Sequence, residues 1–83
     1  MNRKYVIQFT FEDYSEGYLG VDRDGLIHNN FELNRAFMFS SIEKAKEYYN
    51  HCNWTGSKEI KAKIKVLAVN DIGGGEGILE LRK

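Results

Sequence analysis

The chain predicts an α+β fold, a mostly antiparallel sheet of about four to six strands with a single α-helix packed on one face, in the order β-β-β-(β)-α-β-β. Three observations carry this reading. Tyr5 to Phe11 alternates with period two, Ser41 to His51 switches to a helical period, and Lys58 to Val69 returns to alternation.

In the first strand Tyr5, Ile7, Phe9 and Phe11 share one face and Val6, Gln8 and Thr10 the other, the pattern of a half-buried strand. The acidic loop Glu12-Asp13-Tyr14-Ser15-Glu16-Gly17 leads to a short strand from Tyr18 to Val21, hairpinned to the first. Asp22-Arg23-Asp24-Gly25 is a tight turn, because Asp bonds its own backbone and Gly accepts a positive φ; a third strand follows at Leu26 to His28. Asn29 to Arg35 reads as irregular or as a short helical turn, and Ala36 to Phe39 as a short apolar strand.

The helix has a legible start. Ser40 followed three residues later by Glu43 has the spacing of a capping box, in which hydroxyl and carboxylate each accept from the other residue's backbone N–H. Ile42, Ala45, Tyr49 and Cys52 mark its apolar face, while Lys44, Lys46 and Glu47 point elsewhere. The helix is expected to end near Asn53, with Gly56 taking the left-handed conformation that closes it.

Lys58 to Val69 is the longest strand candidate. Ile60, Ala62, Ile64, Val66 and Ala68 form its even face; the odd face runs Glu59, Lys61, Lys63, Lys65 and then turns apolar at Leu67 and Val69. Those two side chains are either covered on a second side or belong to an interface, which makes them candidates for a homodimer contact. Asp71 to Gly77, containing Gly73, Gly74 and Gly75, reads as a hairpin connection, and Ile78 to Arg82 as the last strand.

Eighty-three residues suffice for one domain, residues 1–83, with a stability of about 4 to 12 kcal/mol at typical values per residue. One Trp, five Tyr and five Phe supply the core, and the absence of proline and of any one-signed charge excess argues against disorder. The single Cys excludes an internal disulfide framework, and no segment has the apolar length of a secretory signal or a membrane span. A cytoplasmic protein is expected, and Asn53-Trp54-Thr55 is read as a chance sequon. Formal charge is zero overall but uneven: residues 1–34 carry three basic and six acidic groups, residues 35–65 seven and three, and residues 66–83 two and three. Such asymmetry can steer a partner.

Catalytic chemistry is thin, and no enzyme is expected. His51 and Cys52 are adjacent, so on a helix they diverge by about 100° and do not form a nucleophile-base pair. One Cys and two His fall short of a structural zinc site, and no metal or cofactor is expected. Asp22 to Leu33 fails as a calcium loop, because Gly25 is at the fourth position and Leu33 stands where the bidentate Glu belongs. The glycines Gly73 to Gly77 lack the Lys-Ser/Thr and helix of a phosphate loop, although a looser phosphate cradle at Gly73, Gly74 and Gly75 is a candidate.

Binding features are more promising. Lys61, Lys63 and Lys65, with Lys58 nearby, place a basic stripe on one strand face, suited to nucleic acid or a nucleotide, to an acidic protein, or simply to protecting an edge strand. Tyr14 and Trp54, both expected in loops, are candidate binding anchors or caps that fold back on the core.

Lys4-Tyr5-Val6-Ile7, Gly17-Tyr18-Leu19-Gly20 and Leu33 to Ala45, with its apolar segment before a serine-capped helix, together resemble a layout found among small bacteriophage and prophage proteins. The likeness spans roughly residues 4 to 50 and rests on fold-forming residues. It implies an accessory protein, some of which inhibit host defence by binding CRISPR effectors or sequestering nucleotide signals. The leading expectation is therefore a non-enzymatic inhibitor or adaptor that binds a host protein. The alternative is a nucleic-acid or nucleotide-binding module using the lysine face.

Overall fold

The computed structural model describes residues 3–68 and 71–81, with side chains from residue 4 to residue 65. In chain order the elements are β1 (Arg3–Phe11), β2 (Glu16–Val21), β3 (Ile27–Phe31), a 3-10 turn (Leu33–Arg35), α1 (Ile42–His51), β4 (Glu59–Ala68) and β5 (Asp71–Leu81). The strands form one antiparallel sheet in the order β3-β2-β1-β4-β5, and α1 lies on one face. The fold is α+β.

β1 is central because it is long and apolar on the helix side. It pairs with β2 through Gln8↔Tyr18 and with β4 from Arg3↔Ala68 to Phe11↔Glu59. Ile7 and Phe9 meet Leu19, Ile64, Ala45 and Tyr49 in a core where each is 2% exposed or less. The opposite face of β1 is not solvated as its polar alternation suggests, since Val6 and Gln8 are as deeply buried as the helix-side residues. The sheet curls: β5, at the far edge, comes within 8 Å (Cα–Cα) of the 3-10 turn that follows β3.

Several local expectations are corrected. The N-cap is Ser41, not Ser40: its Oγ accepts from Lys44 N at 3.2 Å, and the residue three positions on is now Lys44, so the reciprocal carboxylate of a capping box is missing. Tyr5 and Phe39 exchange two backbone hydrogen bonds, 3.0 and 2.8 Å, which hold the chain extended past the expected cap and delay the helix by one residue. A Ser cap still contributes about 0.5–2 kcal/mol. Ala36 to Phe39 is not a strand; it crosses the ends of β2 and β1 with an isolated bridge at Phe39.

The helix ends at Cys52, whose backbone is extended, and Gly56 is not its closing residue. Gly56 has φ +132° and sits where any side chain would enter the Asn29 amide. That amide is fully buried and donates to the Ser57 carbonyl at 3.1 Å, while Thr55 bridges β3 in parallel. The loop after α1 therefore covers the β3 edge.

A register shift between Thr10 and Phe11 alters the start of β4. Ile60, expected inside, is 49% exposed, and Glu59 stands opposite Phe11 on the helix side, where its Oε1 accepts from the Tyr49 hydroxyl at 3.3 Å. Burial first, then the nearby Glu59 charge, pushes that hydroxyl up to about 12. The glycine segment is corrected too: Gly73, Gly74 and Gly75 lie within β5, in a register shift that sets residues 72–75 against residue 67 alone. Glycine suits an irregular strand that must bend.

Candidate functional site

Tyr48 and Cys52 lie one helical turn apart on the flank of α1, and Phe39 is carried to them by the bridge to Tyr5. The rings of Phe37, Phe39 and Tyr48 form a cluster with centroid separations of 6.1, 5.2 and 5.4 Å. On its solvent side an open groove of about 640 Å³ is lined by Phe39, Tyr48 and Cys52, with Lys44, Glu47 and His51 at the rim. His51 Nδ1 is 2.9 Å from the Glu47 carbonyl, which only accepts, so Nδ1 carries a proton and donates it there. Burial raises the Tyr48 hydroxyl above its ordinary range, with the Cys52 sulfur adding to the effect. An apolar floor with a cation, an anion and an imidazole on the rim can grip an apolar side chain and orient polar groups around it.

Among the described residues, none of the binding side chains expected from sequence lines this groove. Tyr14 is at the tip of the β1–β2 hairpin, 82% exposed and at φ 67°, a left-handed conformation that an aromatic residue adopts at a cost. Lys58 is exposed and 3.8 Å from Glu12, a surface pair of little energetic weight. Trp54 is half-buried and packs on Phe9 and Tyr49 at 5.2 and 5.1 Å between centroids, so it caps the core instead of projecting from a loop. Lys61 is exposed and Lys63 and Lys65 are half-buried. The side chain of Leu67 and all of Val69 lie outside the described residues, as do any side-chain interactions along β5. Among the described residues, no three His, Cys, Asp or Glu side chains are placed to hold a metal, and no helix is long and apolar enough to cross a membrane.

The groove is not legible in the sequence because its residues come from separate segments and each fits a local pattern of its own. Phe39 falls in an apolar run of strand type and Cys52 on the apolar face of the helix, and the surplus of aromatic residues is the one sequence signal that bears on a second apolar cluster.

The β2–β3 turn carries a polar constellation of its own. Asp22 Oδ1 accepts from the Asp24 and Leu26 backbone N–H groups at 2.9 Å each, and its Oδ2 is 2.8 Å from His28 Nε2. The His28 bond chiefly, then the Leu26 amide, holds the Asp22 carboxyl below its usual range. A depressed carboxyl stabilises the fold above its unfolded value, and that contribution is lost as pH falls through the folded one. Thermal melts of wild type and Asp22→Asn across the acid range are expected to differ most near neutrality and to converge below the ordinary carboxylate range. A constant gap would contradict this linkage.

No family model, curated protein or solved structure matches the chain.

Proposed function

We propose that this chain is a non-enzymatic binding domain, an inhibitor or adaptor of the kind found among small phage proteins, that takes a host protein such as a defence-system component into the groove beside α1. The observation that carries the reading is the groove itself: Phe39, Tyr48 and Cys52 form a concave apolar floor within a charged rim. Aromatic floors sheltered by polar rims are where interface energy concentrates. The resemblance to phage accessory proteins supplies the class of partner.

The test is affinity capture from bacterial lysates with tagged wild type and a Lys44→Glu/His51→Glu variant, both of which change exposed rim residues. A stoichiometric protein held by the wild type and bound about tenfold or more weakly by the variant supports the groove. Recovery of no stoichiometric protein contradicts the function. Capture that survives the rim changes but is lost with Tyr14→Ser moves the site to the hairpin tip.

A further inference from the structure

We infer that the sheet face opposite α1 is a platform for single-stranded nucleic acid, built on a cross-strand row that no single segment of the sequence displays. Tyr18 pairs with Phe31 on one side and with Gln8 on the other, and Gln8 pairs with Lys63. Residues directly opposite in antiparallel strands share a face. Phe31, Tyr18, Gln8 and Lys63 therefore run side by side across four strands, and the Gln8 Nε2 bond to the Tyr18 hydroxyl, 3.0 Å, ties the middle of the row together. Lys61, opposite Thr10, and Lys65, opposite Val6, flank the row on the same face.

Protection of an edge does not account for these lysines. β4 lies between β1 and β5 in the sheet, so Lys63 and Lys65 are on an interior strand, half-buried, with the buried Gln8 and Val6 beside them. Three ammonium groups on alternate residues of one strand repeat at about 6.8 Å, a line of charge suited to successive phosphates. A lone phosphate group would engage only part of it. Two opposing carboxylates narrow the stripe without cancelling it: Glu16 stands opposite Thr10, and Glu80 opposite Lys63 in register.

One further feature points to a base as well as a phosphate. Tyr18 and Phe31 are both half-buried at the end of the row, and Phe31 lies against the position where Gly20 has no side chain, 2.7 Å from where a Cβ would be. Aromatic rings beside a basic groove are what sequence-tolerant single-strand binders use for stacking. At the centre Gln8 is 1% exposed, so it holds Tyr18 in place through its Nε2 and is closed to a ligand.

The experiment is fluorescence anisotropy of a labelled oligothymidylate titrated with the intact chain, repeated across a salt series. Wild type is expected to bind at low salt, with log K falling against log salt at a slope of about −2, the value for three phosphate contacts on a single strand. With one phosphate per lysine, Lys61→Gln/Lys65→Gln should reduce that slope to about −0.7. Tyr18→Leu should weaken binding about tenfold at unchanged slope, and Tyr18→Phe, which keeps the ring, should restore it. Circular dichroism and a thermal melt on each variant separate lost binding from lost fold. No binding by wild type at low salt overturns the inference. So does an equal loss from Arg23→Gln/Lys46→Gln, which changes exposed cations off this row, or competition by thymidine monophosphate as strong as by the oligomer, which would define a nucleotide pocket instead. The platform and the groove beside α1 are on opposite sides of the sheet, so either can fail without the other.

Discussion

Phe9→Ala is expected to bring the domain to the edge of unfolding. Phe9 is fully buried at the centre of β1 and is the residue on which helix, sheet and post-helix loop converge: its ring is 6.3 Å from that of Tyr49 and 5.2 Å from that of Trp54. Removing a buried phenyl costs about 3–5 kcal/mol, from lost transfer energy and the cavity left behind. Against a total of about 4–12 kcal/mol this leaves little margin. A fall in Tm of about 15–30 °C is expected for a domain of this size, or no cooperative transition at all. Phe9→Leu should recover most of the loss. A change of only a few degrees for the alanine variant would mean that the three elements do not share this core.

Gly17→Ala is expected to be strongly destabilising although it adds a single methyl. Gly17 is opposite Phe9, and an added Cβ would lie 2.6 Å from the Asn29 carbonyl oxygen, 2.8 Å from the Asn30 Cα and 2.8 Å from a Phe11 ring carbon. Two of those neighbours are backbone atoms of β3, so relief requires strand separation and not a rotamer change. Overpacking of this kind costs about 3 kcal/mol. Gly25 is the useful contrast, because at φ +84° with open space around it alanine there pays only the left-handed penalty of about 1–2 kcal/mol. Hydrogen exchange should show early loss of protection across β2 and β3 for Gly17→Ala and a local effect for Gly25→Ala. Equal destabilisation by the two would contradict the close approach of β3.

The helix and β1 were legible because their apolar residues recur at the period of a helix and of a strand. The details that escaped depend on contacts between distant segments. Ser40 had the better local spacing for a cap, but two hydrogen bonds between Tyr5 and Phe39 set the chain direction and gave the role to Ser41. Ile60 fitted an apolar stripe, but the register shift opposite Thr10 turned it to solvent. Trp54 sat in a stretch of turn residues, and what made it core was the return of that loop onto β3.

The candidate surfaces divide the same way. The lysine alternation along β4 is a property of one strand and was visible as such. That Tyr18, Phe31 and Gln8 stand beside it is a property of pairing across four strands, and the groove at Phe39, Tyr48 and Cys52 joins a crossing segment to a helix flank.

What the sequence by itself determined is the class of the helix and of the strands β1 to β4, and the α+β architecture, because period and end chemistry are local and a single helix must bury its apolar face on the sheet. What only the tertiary structure decided is strand order, register and the company each side chain keeps. A one-residue shift in pairing exchanges the two faces of a strand, and no local pattern records which partner strand imposes it.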